Sequence, residues 1–217
     1  MIDSYKTVGE NTYEMIKKDI IFGNLKPLKK LKLNELKNNY KTSISTLREI
    51  LSRLSGDGFV VYEEQKGFYV SPVSESDLKE IANLRILIES HALKYSLENS
   101  NPDWEGSLLA AHHKLNLYEN KLLKNKTEER INWKRYDSEF HQTLVRNCNS
   151  KNLIELHKLI FDKYLRYQLL VLTFRGSGSI EEHKKLLDYS LERNFKKAQM
   201  VLEEHIQNGI IHANKSF

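Results

Sequence analysis

Between Thr42 and Val70 the hydrophobic pattern changes its period. On a helix, Leu47, Ile50, Leu51 and Leu54 recur at i, i+3, i+4 and i+7 and make one apolar face. Ser45, Glu49 and Ser52 fall on the opposite face, flanked by Thr46, Arg48 and Arg53. Ser43 stands at the N-cap, where a hydroxyl accepts from an orphan amide. Gly56 and Gly58 stop the run. Two β-rich runs then lead to Val70, with Gly67 at the turn between them. Helix, stop and two-stranded ribbon together outline a winged helix-turn-helix.

The flanking pattern supplies the other elements. Residues 1–9 read as an arm, and Thr12 is placed to cap a helix carrying Tyr13, Ile16 and Ile20 on one face, ending at Gly23. Pro27 marks a connector, because the residue before a proline avoids the helical region. Asn34 is placed to cap a short helix over Glu35–Tyr40. The stretch Ser71-Pro-Val-Ser-Glu-Ser76 is a linker, with Ser74 or Ser76 opening the next helix. Beyond it the pattern is helical throughout. Leu78, Ile81, Leu84, Ile88 and Tyr95 mark a first helix, broken at Asn101-Pro102. Trp104, Leu108, Leu115, Tyr118 and Leu122 mark a second, and Trp133, Tyr136, Phe140, Leu144 and Cys148 a third. Leu153, Leu156, Ile160, Tyr164 and Tyr167 mark a fourth, ended by Arg175-Gly-Ser-Gly-Ser179, and two amphipathic helices follow over about 180–192 and 196–213. The expected fold is mainly α. A winged helix-turn-helix of three helices and a two-stranded wing (1–73) joins an all-α six-helix antiparallel bundle (74–217).

Composition narrows the function classes. Of 217 residues, 40% are hydrophobic and 29% charged, enough apolar material for a core. No apolar run approaches the ~20 residues of a membrane span. The first residues lack a signal-peptide pattern, so no membrane partner and a cytoplasmic location are expected. The single Cys148 excludes an internal disulfide framework and reads as a packing residue. Net charge is +5, unevenly spread. Lys26, Lys29, Lys30, Lys32, Lys37 and Lys41 face the single acid Glu35 just ahead of the Thr42–Ser55 helix, where contacts to DNA phosphates are wanted. All eight histidines lie beyond residue 90.

Three of those histidines and an acid have a suggestive arrangement. Asp137 and His141 are four apart, so they project from one helix face a turn apart, a spacing that suits two ligands of one ion and equally a surface hydrogen bond. His183 and His205 lie on consecutive helices whose antiparallel packing can bring both rings to that point. One carboxylate and three imidazoles suit zinc, nickel or another borderline divalent cation.

The N-terminal stretch resembles the DNA-binding domain of GntR-family bacterial regulators. The residues that carry the likeness are Ile20-Ile-Phe-Gly-Asn-Leu-Lys-Pro27, Leu31, Glu35-Leu36, Ser45-Thr-Leu-Arg-Glu-Ile-Leu51, Leu54, Gly58-Phe-Val60 and Lys66-Gly-Phe-Tyr-Val70. It departs from that pattern at Leu28, where the family has glycine, at Ile44, where it has arginine, and at Thr46, where it has proline. The C-terminal half, through Asp137-Ser-Glu-Phe-His141, Leu144, Asn149, Leu153, Glu182-His183, Ala198, Met200 and Glu204-His205, is similar to the FCD effector domain of the FadR subfamily, of the six-helix VanR-like type.

The resemblance implies a homodimeric, ligand-responsive regulator of transcription binding a pseudo-palindromic double-stranded DNA operator. DNA contacts are expected from Lys41, Ser43, Ser45, Thr46, Arg48, Arg53, Lys66 and Gly67. Asp137, His141, His183 and His205 match the metal-ligand positions, with zinc or nickel favoured. The effector expected is a small carboxylic acid, which completes the metal shell while Arg85, or failing that Arg166, takes its other end. Arg85 has an alternative in an i, i+4 pair with Glu89. His91, His112, His113, His157 and His212 fit no ligand pattern and are expected to be solvated or packing residues. Two rival readings are a purely structural ion and a metal-dependent hydrolase; against the second, no His-Glu-x-x-His unit is present and no general base is evident.

Overall fold

A computed structural model describes residues 7–170 and 174–213. It divides into two compact units, Met1–Ser74 and Glu75–Phe217. The first holds α1 (Val8–Ile21), α2 (Leu33–Tyr40), α3 (Ile44–Gly56), β1 (Val60–Glu63) and β2 (Gly67–Val70). Residues 1–6 of the expected arm lie outside the described residues. Helix α1 starts earlier than the pattern of apolar residues implies. Its N-cap is Thr7, not Thr12, in a reciprocal capping box with Glu10: Thr7 Oγ1 accepts from Glu10 N and Glu10 Oε2 from Thr7 N. Thr12 instead lies within α1 and donates to Val8 O.

Helix α2 begins at Leu33 with Lys32 at its N-cap and no side-chain cap, so Asn34 lies inside it. Ser43 caps α3 as expected, accepting from Thr46 N at 3.1 Å. The buried face of α3 is Leu47, Ile50, Leu51 and Leu54, which meets Ile16 and Ile20 of α1, Leu36 of α2 and Phe59 in one core. The wing pairs antiparallel from Val60 opposite Val70 to Glu63 opposite Gly67. Residues 28–31 run along the free edge of β2: Leu28 N donates to Val70 O, Val70 N to Lys29 O and Leu31 N to Phe68 O. That third rung hides an otherwise open strand edge.

The second unit holds α4 (Glu75–Glu98), α5 (Pro102–Leu123), a short 3₁₀ turn (Thr127–Glu129), α6 (Arg130–Val145), α7 (Lys151–Leu170), α8 (Ser177–Leu191) and α9 (Phe195–Ala213). Asn101 caps α5 and Pro102 occupies its first turn, where a missing amide costs nothing. Ser177–Ser179 belong to α8 rather than to a breaker, because Gly176, at φ +70°, takes the turn alone. Helix α4 packs on α6, α7 and α9, α5 on α6 and α8, and α8 on α9. No helix among the described residues is long and apolar enough to cross a membrane.

The buried face of α4 corrects the simple periodic reading. Leu78, Ile81 and Ile88 are buried, but Leu84 and Tyr95 are exposed. Arg85 and Glu89 take the inward positions instead. On α7, Leu156 is likewise exposed and its neighbour His157 buried. Polar residues in the middle of a bundle need partners, and these have them.

Candidate metal centre

Asp137 and His141 project from α6, His183 from α8 and His205 from α9, all buried. One candidate ligand atom from each lies within 4.8 Å of all the others. The imidazoles crowd together: ring centres of His183 and His205 are 4.5 Å apart, His141 and His205 5.2 Å, and His141 and His183 5.6 Å.

A carboxylate holds the outer nitrogen of every ring. Glu89 Oε1 on α4 lies 2.5 Å from His141 Nδ1, Glu119 Oε1 on α5 lies 2.7 Å from His183 Nδ1, and Glu182 Oε2 on α8 lies 2.8 Å from His205 Nδ1. With Nδ1 donating to a carboxylate, Nε2 is the lone-pair nitrogen. Nε2 of His141, Nε2 of His183 and Oδ2 of Asp137 are buried without any hydrogen-bond partner. His183 Nε2 is 3.4 Å from Asp137 Oδ1, an ion-pair distance without hydrogen-bond geometry. Buried polar atoms left bare at one point are costly, and a positive charge there, a metal ion or a proton on His183, relieves the cost. Carboxylate-backed imidazoles are also the arrangement that orients rings on a metal. The cluster can hold a metal ion, and its N₃O donor set fits a tetrahedral borderline ion.

Glu89 is the hub of the surroundings. Its Oε2 takes Arg85 Nε at 2.8 Å and lies 3.3 Å from His157 Nε2. The i, i+4 pair that was the alternative reading of Arg85 therefore exists, yet it uses only Nε. The two terminal nitrogens of Arg85 are buried without a hydrogen-bond partner, and the guanidinium lies over Phe161 and Tyr164 at 4.4 and 4.7 Å. Arg166 is also buried, but the structure does not bring it to the cluster. The charges it feels are those of Tyr167 and Asp77, because two residues along α7 turn it well away from Tyr164.

Burial dominates the electrostatics. It works against ionised Asp137, but Lys134, His183 and His141 hold the carboxyl well below the usual range. Burial pushes Lys134 down to about 8, against the pull of Asp137 Oδ2 at 3.5 Å. His141 and His205 are depressed by burial. His183 also pays for burial, yet Glu119 and Asp137 raise it to about 9. In the metal-free cluster the proton therefore sits on His183.

The cleft beside the cluster is lined by Trp133, Lys134, Tyr164, Gln168, Arg175 and Gly209, and its cavity of about 20 Å³ has room for one water or ion. A Cβ at Gly209 would collide with Tyr164 Oη. Arg175 closes one side through Glu182 Oε1 at 3.0 Å and the backbone oxygen of His205 at 3.3 Å. Glu119 and Lys134 were not singled out from the sequence, and only the fold gathers them. Glu89 was named there only as an i, i+4 partner of Arg85, and Glu182 only as the neighbour of His183.

In the first unit Ser45, Arg48, Lys41 and Lys66 are exposed, Thr46 and Gly67 partly so. Arg48, Lys66 and Gly67 line one groove between α3 and the wing, with Lys30, Lys32, Ile44 and Tyr62. Ser43 is tied to Ser45 and Thr46 by hydroxyl contacts of 2.7 and 2.8 Å. Arg53 is turned back over the Tyr13 ring of α1 at 4.6 Å, which places it outside the groove.

Comparison with known proteins agrees with both halves. The family model "Bacterial regulatory proteins, gntR family" matches residues 8–70, and the FCD domain model matches residues 80–208. The HTH-type transcriptional regulator BphR of Paraburkholderia xenovorans is 28% identical over 211 residues, covering 96% of this chain and 86% of its own length. The HTH-type transcriptional repressor GlaR of Escherichia coli is 29% identical over 202 residues, covering 89% and 90%. Among solved structures, E. coli McbR/YncC aligns over 97% of this chain and 99% of its own, with TM-score 0.80 and 22% identity. A putative GntR regulator from Rhodococcus sp. RHA1 aligns over 96% and 98%, with TM-score 0.77 and 16% identity. The two structures share the fold.

Proposed function

The chain belongs to the gntR family of bacterial regulatory proteins and carries its FCD domain, and from that premise we propose that it is a repressor whose hold on DNA responds to a small carboxylic acid sensed at a metal ion in the second unit. The family and its relatives regulate transcription and are not enzymes. The repressor sign rests on the likeness to GlaR, which is named as one. In this reading residues 1–73 contact a double-stranded operator through the α3 groove and wing, and residues 74–217 hold the ion and the effector.

The observation that carries the sensing half is the convergence of bare Nε2 atoms, each ring backed by a carboxylate, next to an arginine with two unused nitrogens. Zinc and nickel fit the donor set best. With a divalent ion in place, its charge and those of Arg85, Lys134 and Arg175 exceed the charges of Asp137, Glu89, Glu119 and Glu182 by one, so a single carboxylate neutralises the site. Arg85 is its natural partner, as a planar donor whose terminal nitrogens are free of protein bonds. A homodimer is supported by α4, on which Leu84, Leu87 and Tyr95 lie exposed along one stripe. The small cavity favours a second reading, a purely structural ion, since a multi-carbon acid must displace Tyr164 or Arg175 to enter.

Elemental analysis of the purified chain, followed by a thermal-shift screen of mono- and dicarboxylic acids and operator binding with the acid that shifts, tests the proposal. One metal per chain, a shift with an acid and weakened operator binding support the sensor. Metal with no acid response leaves the structural ion. Melting indifferent to chelator overturns both.

A further inference from the structure

The DNA-facing first turn of α3 carries no guanine-reading side chain. Ile44, Ser45 and Thr46 fill it, and the nearest cation on that flank, Arg48, comes a turn later. Ile44 is the first residue of the helix and only half-buried, on the flank of the apolar face that opens into the groove with Arg48, Lys30, Lys32 and Lys66. The hydroxyls on either side of it are engaged: Ser43 Oγ caps the helix and contacts both Ser45 Oγ and Thr46 Oγ1. The leading edge of the helix therefore presents branched hydrocarbon framed by lysine and arginine.

In the major groove only one base edge offers hydrocarbon in return, the 5-methyl of thymine. We infer that Ile44 is a specificity-determining residue that reads a thymine methyl in the operator, while Arg48 reads a guanine beside it. The inference rests on the DNA-binding reading of α3. Ile44 and Arg48 sit on one face of α3 about 6 Å apart along its axis, so the thymine lies within about two base pairs of the guanine, given ~3.4 Å per base step. A polar base edge placed against Ile44 loses its water without gaining a partner, which extends the preference from thymine over cytosine to thymine over every other base.

The test begins with selection of bound duplexes from a randomised pool by the full chain. Each thymine of the selected half-site is then replaced by deoxyuridine, which removes the methyl and leaves the pairing and hydrogen-bonding edge intact. One position is expected to weaken wild-type binding by about four-fold, the worth of one buried methyl group. Ile44→Ala is expected to bind thymine and uracil duplexes equally at that position, and Arg48→Ala to keep the uracil penalty while losing the guanine preference. Arg48→Ala should melt as the wild type does, since Arg48 is exposed, and half-buried Ile44→Ala only slightly below it, with both variants remaining folded. Wild-type indifference to uracil at every position, or an unchanged penalty in Ile44→Ala, overturns the inference and leaves DNA binding standing. Failure to select any duplex overturns the DNA-binding reading itself.

Discussion

Leu28 occupies a backbone conformation that suits glycine. Its φ is +64°, its side chain is 68% exposed, and its amide is held by Val70 O at 3.0 Å, so the left-handed turn is imposed by the pairing of residues 28–31 with β2. A Cβ in that region costs about 1–2 kcal/mol, of which glycine's extra chain entropy returns about 0.5–1 kcal/mol. Leu28→Gly is accordingly expected to raise unfolding stability by about 0.5–1 kcal/mol, read as a higher urea midpoint at unchanged slope; a lower midpoint sinks the argument. Glu119 makes the contrasting case. It touches no proposed ligand atom and acts only through His183 Nδ1. Glu119→Gln keeps the shape but weakens the hold on ring orientation and basicity, so metal affinity should fall roughly 10- to 100-fold in a chelator competition. An unchanged affinity would mean that the carboxylate merely neutralises a buried imidazolium.

At the scale of elements, α4 carries two opposite loads. One side presents Arg85 and Glu89 to the candidate metal centre, and the other exposes Leu84, Leu87 and Tyr95. An apolar stripe of that length on a helix wants a cover, and in the proposed homodimer a second copy of the same helix would supply one by two-fold symmetry. Leu87→Asp should therefore halve the solution mass measured by analytical ultracentrifugation while leaving metal content intact; a monomeric wild type, or a variant that stays dimeric, removes α4 from the interface. This helix also shows how much could be read beforehand. The winged half was legible in outline because Leu47, Ile50, Leu51 and Leu54 are apolar and buried alike, and Gly58 and Gly67 sit at the positive-φ turns they suggest. The four residues of the candidate metal cluster were singled out by resemblance, and the fold brings them together. On α4 the apolar residues exceed what one face can bury, so period alone chose Leu84 and Tyr95, whereas Arg85 and Glu89 go inside because they satisfy each other, His141 and His157. Such mutual satisfaction between helices leaves no local trace. The start of α1 did leave one, since Thr7 and Glu10 have capping-box spacing, but no apolar periodicity surrounds it.

For the molecule as a whole, the candidate centre makes stability fall with rising pH in the metal-free chain, a dependence that a bound ion removes. In the metal-free chain Glu119 and Asp137 raise His183 to about 9, above the ~6.5 of an unfolded histidine. Its contribution is thus fully present below about pH 6.5 and lost as pH rises through about 9. His141 and His205 are depressed, so they act only below that window. Lys134, lowered to about 8, adds stability as pH climbs past 8. Between pH 6.5 and 8 His183 acts alone among these, and the melting temperature of chelator-treated protein should fall. A metal ion needs the lone pair that this proton occupies, so its affinity should rise about ten-fold per pH unit over the same range. The gap in melting temperature between metal-loaded and chelated protein is then expected to widen steadily from pH 6.5 to 8. In Glu119→Gln the acid that raises His183 most is gone, so the apo decline should flatten even if metal binding survives. A gap independent of pH in the wild type would remove His183 from the ligand set, because any ion held by that ring must first displace its proton.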